Sequence, residues 1–152
     1  MPKIVLLPLD VRPCCRDFPR KLAIMSGANV ALPAADLLNP DFMDQCNHDE
    51  LWNWLRRECL DASYAIISID MLAFGGLAAS RRSLIPAEDA LARVSDLEML
   101  KRANPELTVM ASSVIMPLQP LVHDPSMARQ AALVARYFQL AGHAHKGTQR
   151  AE

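Results

Sequence analysis

KIVLLPLDVRP, residues 3–13, is an apolar run that ends in charged and turn-forming residues. The run is continuous rather than alternating, which is typical of a strand buried on both faces of a parallel sheet. Because proline cannot donate to a β ladder, we expect the strand, predicted over residues 3–9, to leave regular pairing at Pro8. Asp10 and Arg12 would then lie at its carboxyl end, where α/β sheets bind ligands.

Two later apolar runs end in the same way. YAIISI (64–69) runs into Asp70, and the run LTVMA (107–111) is followed by Ser112 and Ser113. With a short strand over 29–32, these runs alternate with segments of helical spacing in the order β-α-β-α-β-α-β-α. The sequence therefore predicts an α/β fold with a mainly parallel sheet. This is either an open Rossmann-like sheet or half of a TIM-like barrel, which sequence order alone does not separate.

The connecting segments predict four helices and one long loop. The helices are expected over residues 18–25, 47–59, 86–103 and 124–142, and the loop over 70–85. Asn47 followed by Glu50 has capping-box spacing at the start of the second helix. In that helix we expect Trp52 to face the core and Trp54 to be partly exposed.

The composition predicts one globular β/α domain, residues 1–142, followed by a frayed polar tail, 143–152. The chain has 152 residues, 51% of them apolar, and a formal net charge of −1. The sequence has no basic stripe and only 5% aromatic residues, which argues against a nucleic-acid partner. No apolar stretch reaches the roughly 20 residues of a membrane helix, and no signal-peptide pattern opens the chain, so we expect a cytoplasmic protein with no membrane partner. The four cysteines are expected to be free thiols.

Asp10 and Asp70 are the predicted catalytic residues. A carboxylate just beyond a buried strand can act as a general base, a nucleophile or a metal ligand. Asp70 is preceded by an apolar run, and burial would raise its pKa unless a donor or a metal stabilised the charge. Two carboxylates across one rim resemble the glycosidase arrangement.

Five further residues are predicted to bind substrate. Arg12 and Arg81 could hold an anionic group, Gly75 and Gly76 allow a close backbone approach, and Ser113 follows the last predicted strand. Neither GxGxxG nor GxxxxGK[ST] is present, so no phosphate loop is predicted. The histidines lack ligand spacing, so we assign no metal, and the cofactor is unknown.

Four segments resemble DUF4127, an uncharacterised bacterial family. They are IVLLPLDVRP (4–13), DELWNWL (49–55), SIDMLAFGGLAASR (68–81) and ANPELTVMASSVIM (103–116). The motifs cover the first three-quarters of the chain, and nothing beyond Pro120 is recognised. The resemblance implies that the chain is the N-terminal part of a longer protein. It implies no activity, because the family has none established.

Three functions remain open at this point. The first is a hydrolase of glycosidase-like type that uses Asp10 and Asp70 on a small-molecule substrate. The second is a non-catalytic domain that binds a small anionic ligand. The third is an inactive truncated fragment. The expected protein partner is either a second copy of the chain, in a homo-oligomer, or a missing C-terminal domain.

Overall fold

A computed structural model of the chain describes residues 1–38, 46–82, 85–115, 129 and 132–142. The chain divides into two compact units, Met1–Val114 and Ile115–Glu152. The first unit contains a four-stranded sheet in which all the neighbouring strands are parallel. This confirms the predicted α/β fold. The strands are β1 (Lys3–Leu7), β2 (Asn29–Ala31), β3 (Tyr64–Ser68) and β4 (Thr108–Ser112).

The strand order separates the two architectures that the sequence left open. The order is β2-β1-β3-β4, so β1 pairs with both β2 and β3. In a (β/α) barrel consecutive strands are neighbours, and β2 would pair with β3. The observed order is instead that of an open, doubly wound sheet. Strand β2 is added on one side of β1, whereas β3 and β4 are added on the other side, so the direction of strand addition reverses between β1 and β3. Ligands bind such sheets outside the carboxyl ends of the strands at this reversal.

Among its described residues, the first unit has six α-helices that connect or flank these strands. They are α1 (Asp17–Met25), α2 (His48–Cys59), α3 (Ile69–Phe74), α4 (Leu77–Arg82), α5 (Ala87–Ser95) and α6 (Leu97–Ala103), and a 3-10 turn spans Ala35–Leu38. The predicted cap of α2 is confirmed, because the Glu50 N–H donates to Asn47 Oδ1 at 3.3 Å. None of the helices among the described residues is both long enough and apolar enough to cross a bilayer.

The second unit contains a helix, α7, over residues 132–142. It coincides with the end of the fourth predicted helix. The predicted start of that helix near Asp124 and the predicted tail, 143–152, lie outside the described residues. Within α7 the rings of Tyr137 and Phe138 make an edge contact, with centroids 5.7 Å apart.

The prediction of a loop over residues 70–85 is wrong. The apolar segment after β3 turns directly into α3, because the Ser68 hydroxyl accepts a hydrogen bond from the Met71 N–H and caps the helix. Gly75, at φ 87°, ends it, and α4 begins two residues later. The single helix predicted over 86–103 is also wrong, since a turn at Asp96 divides it into α5 and α6.

The core lies between one face of the sheet and helices α2, α3 and α6. Alternate strand residues are fully buried there: Val5 and Leu7 on β1, and Ala65 and Ile67 on β3. The helices contribute Leu51, Trp54, Leu55, Cys59, Met71, Leu72 and Leu100. The expectation for the two tryptophans is reversed, because Trp54 is buried whereas Trp52 is only partly buried against the core.

The opposite face of the sheet is more open. Tyr64 and Ile66 on β3 are 39% and 37% exposed, and Met110 on β4 is 45% exposed. Helix α1 has no fully buried residue, and its Phe18 and Leu22 are exposed. On β1, for which burial on both faces was predicted, Val5, Leu6 and Leu7 are all buried, whereas β3 alternates between exposed and buried side chains over Tyr64–Ile67.

Candidate functional site

Asp10 and Asp70 leave the sheet at the same level, on either side of the reversal point. Leu7 and Ile67 are register partners on β1 and β3. Each aspartate lies three residues beyond one of these partners, so the two chains emerge side by side at the carboxyl edge. Both aspartates are buried, with exposures of 5% and 3%. The sequence prediction that they belong to one rim agrees with this topology.

Asp10 is held by Arg12. Its Oδ1 accepts the backbone N–H of Arg12 at 3.0 Å, and its Oδ2 accepts the guanidinium Nε at 2.8 Å. The Arg12 Nη2 also lies 2.6 Å from Oδ2. The carboxylate side chain is only 7% exposed, whereas that of Arg12 is 44% exposed. The turn at the end of β1 therefore buries the negative charge and presents the positive charge to solvent.

The ionisation of Asp10 follows from these contacts. Burial acts to raise the pKa of its carboxyl, but the bonds from the Arg12 side chain and backbone, with one from the Cys15 thiol, outweigh it and lower the pKa. Asp10 is therefore ionised at neutral pH. Burial of the Cys15 thiol, together with its interactions with Cys14 and Asp10, raises the pKa of that thiol to about 12. Cys15 therefore stays protonated at neutral pH.

Asp70 has a different partner and a different position. It lies in the first turn of α3, and its Oδ2 accepts the backbone N–H of Val114 at 2.9 Å. Val114 follows the end of β4, so this bond joins the carboxyl ends of two neighbouring strands. A buried charge at Asp70 was expected to need either a hydrogen-bond donor or a metal ion, and the structure supplies a donor. That donor comes from a neighbouring strand end rather than from the loop of Asp70 itself.

The two glycines shape the wall between the aspartates. The Gly76 N–H donates to the Asp70 carbonyl at 3.1 Å, and the Gly75 N–H donates to the Met71 carbonyl at 2.9 Å. Gly76 has φ 126°, and a Cβ there would lie 3.5 Å from the Leu9 carbonyl oxygen. The glycines thus end α3 and let it approach the end of β1. A contact of either glycine with substrate stays a prediction.

Ser113 and Arg81 are the remaining predicted binding residues. Ser113 is exposed and directly precedes Val114, whose N–H reaches Asp70, so it lies at the same edge. Arg81 is on α4 and partly buried, and its Nε is buried without a hydrogen-bond partner. Among the described residues, no hydrogen bond or ion pair joins Arg81 to Asp10, Arg12 or Asp70. The structure therefore groups Ser113 with Asp70 and does not connect Arg81 to them.

The sequence did not reveal three groups that complete this edge. They are the Val114 N–H, the Cys15 thiol beside Asp10 and the Leu9 carbonyl against Gly76. Each depends on strand register or backbone direction, which no local pattern encodes. In the part of the chain that the structure describes, no three His, Cys, Asp or Glu side chains are grouped to hold a metal ion.

Comparisons with known proteins place the whole chain in one family. The family model described as "Protein of unknown function (DUF4127)" matches residues 4–152. The match extends past Pro120, where the sequence motifs stopped, so the expectation that the resemblance ends there is wrong. Neither the curated proteins nor the solved structures gave a match. Since the matched region spans almost the full chain, this protein belongs to the DUF4127 family.

Proposed function

We propose that the edge formed by the carboxyl ends of β1, β3 and β4 binds a small molecule through an anionic group. The ion pair of Arg12 with the buried Asp10 carries this proposal. Doubly wound sheets bind ligands outside the carboxyl ends of their strands at the reversal point, and Arg12 lies at that point. The ligand would be a carboxylate or a phosphate, since guanidinium geometry suits both.

The contacts of Arg12 favour a binding role. Asp10 engages the backbone N–H, Nε and Nη2 of Arg12, and this fixes the plane of the guanidinium. Among the described residues, none accepts a hydrogen bond from its Nη1. A guanidinium that is already ordered loses less conformational entropy when it binds an anion. With 44% of the side chain exposed, the charge is accessible to a ligand from solvent.

We expect Arg12→Gln to weaken binding of inorganic phosphate or succinate by about 10- to 100-fold, because one charge-assisted contact is lost. Isothermal titration calorimetry of the 152-residue chain measures the change. Arg56→Gln is the matched control: it removes the same charge from an exposed position on α2 and should leave the affinity unchanged. Equal losses in both variants would show that net charge, and not a site at Arg12, attracts the anion.

Hydrolysis of the bound ligand is the second candidate function, and the environment of Asp70 favours it. Asp10 has a lowered pKa and stays ionised, so it is suited to stabilising charge and not to donating a proton. Asp70 is buried at 3% exposure beside the same edge, and in the described contacts its Oδ2 has only a backbone donor. With Asp10 held ionised by Arg12, Asp70 is the carboxyl at this edge that is left to exchange a proton with a substrate, as general base or general acid.

For Asp70→Asn we expect loss of turnover with folding intact, because the amide oxygen still accepts the Val114 N–H but the group no longer exchanges a proton. Asp70→Ala should also lower the unfolding free energy by about 1–2 kcal/mol, since it leaves that N–H without a partner. Hydrolysis of chromogenic glycosides and phosphate esters by the protein and its variants, with urea melts of each variant, gives both quantities. Full activity in Asp70→Asn would exclude Asp70 as the proton donor.

A further inference from the structure

The adjacent cysteines of the turn after β1 form a preorganised dithiol. Cys14 is exposed and Cys15 is partly buried, and their sulfur atoms lie 3.7 Å apart. The turn that holds them is fixed by backbone hydrogen bonds, from the Cys15 N–H and the Arg16 N–H to the Arg12 carbonyl, at 2.9 and 3.0 Å. Both thiols are therefore presented together from a short ordered segment.

Two sulfur atoms bonded at about 2.3 Å to one pyramidal trivalent atom, with an angle of about 100° between the bonds, stand about 3.5 Å apart. The observed sulfur atoms are in contact at 3.7 Å, so a small side-chain rotation brings both onto one such atom. A direct disulfide fits less well. Consecutive Cα atoms are about 3.8 Å apart across a trans peptide, below the roughly 4.4–6.8 Å span that disulfides usually bridge. The pair is thus spaced to chelate a third atom.

From this geometry we propose that Cys14 and Cys15 bind a trivalent arsenical as a bidentate chelate. Two As–S bonds form, the As=O bond breaks, and the two thiol protons leave with the oxygen as water. Arsenic stays in the +3 state, so no oxidant or reductant is needed. Each sulfur gives up its proton as it bonds to arsenic, and both protons end in the water that is released.

The surroundings favour this neutral species over a divalent metal ion. The Arg12 Nη2 lies 3.9 Å from the Cys15 sulfur, and its charge would repel a cation bound there. A structural zinc site requires four ligands. Among the residues that the structure describes, no third histidine, cysteine or carboxylate completes such a group. A trivalent arsenical needs only the two sulfurs, because its third substituent is its own.

Phenylarsine oxide and intact-protein mass spectrometry test the proposal on the 152-residue chain. We expect one adduct per chain, removed by 1,2-ethanedithiol but not by an equal concentration of glutathione thiol. Cys14→Ser and Cys15→Ser should each weaken the adduct by about 100-fold, because the second bond to the chelated atom is lost. Cys59→Ala, at a fully buried thiol, should leave it unchanged.

Three results would overturn the chelate. The first is an adduct that persists in the Cys14→Ser, Cys15→Ser double variant, and the second is an adduct that glutathione removes as readily as the dithiol. The third is displacement of phenylarsine oxide by equimolar Zn²⁺, which would identify the pair as a metal site. None of these readouts depends on anion binding at Arg12, so the chelate and the proposed function can fail separately.

Discussion

Arg12→Ala should lower the unfolding free energy by about 3 kcal/mol, because it leaves the carboxylate of Asp10 buried without its cation. The Asp10 side chain is 7% exposed and receives its side-chain cation from Arg12 alone among the described ion pairs. We place the effect at the low end for a broken buried pair, since Arg12 is itself 44% exposed and water can enter the space it vacates. Urea unfolding of the purified chain measures the change.

A double-mutant cycle separates the pair from the packing of the arginine stem. Asp10→Asn alone should cost about 1 kcal/mol, because Arg12 can be solvated and the amide oxygen still accepts a backbone N–H. The double variant Asp10→Asn, Arg12→Ala should cost about 1–2 kcal/mol, less than Arg12→Ala alone, since no buried charge remains. Additive losses would mean that the two side chains are not coupled.

The pH dependence of the Arg12→Ala effect has a definite sign. Asp10 has a folded-state pKa below its ordinary value of 3.8. The pair therefore contributes its full stability above about pH 4 and loses it as the pH falls through the folded-state pKa. The difference in unfolding free energy between the native chain and Arg12→Ala should therefore shrink in the same acidic range. A difference that stays constant down to pH 2 would assign it to packing.

The sequence predicted the fold class and the residues of the edge, but not how the edge is connected. Apolar runs ending at Asp10 and Asp70 were enough to predict a parallel sheet and a shared rim, because strand ends in such sheets meet at one edge. The order β2-β1-β3-β4 could not be predicted, since pairing is decided by contacts distant in sequence. Without that order, the reversal point between the two aspartates was not visible.

The segment after β3 shows why local patterns failed at the site itself. Asp70 and the glycine pair were interpreted as loop residues, because charged and glycine-rich sequence usually marks a turn. Ser68 and Gly75, however, are the cap and the stop of a six-residue helix. That helix places Asp70 in its first turn, where the Val114 N–H reaches it. A helix this short has too few turns for apolar periodicity to reveal it.

Gly76→Val should also cost about 3 kcal/mol, because it strains the backbone and crowds the end of β1. Gly76 has φ 126°, well beyond the left-handed region that other residues tolerate, and a β-branched side chain there is strained by about 1–3 kcal/mol. Its Cβ would lie 3.4 Å from Met71 Cε and 3.5 Å from the Leu9 carbonyl, so the branches of valine must displace one of them.

Gly27→Val is the matched control for this crowding. Gly27 also has a positive φ, 83°, but a Cβ there would meet nothing within 4 Å. Gly27→Val should lower the unfolding free energy by about 1–2 kcal/mol, from backbone strain alone. The excess at Gly76, measured by urea unfolding, then combines its more strained φ with the cost of separating Gly76 from Leu9, the residue before Asp10. If Gly76→Val displaces that strand end, it should also weaken phosphate binding at Arg12, whereas Gly27→Val should not. Equal losses of stability in the two variants would show that the close approach of Gly76 to Leu9 does not constrain the fold, and unchanged phosphate binding in Gly76→Val would show that it does not shape the site.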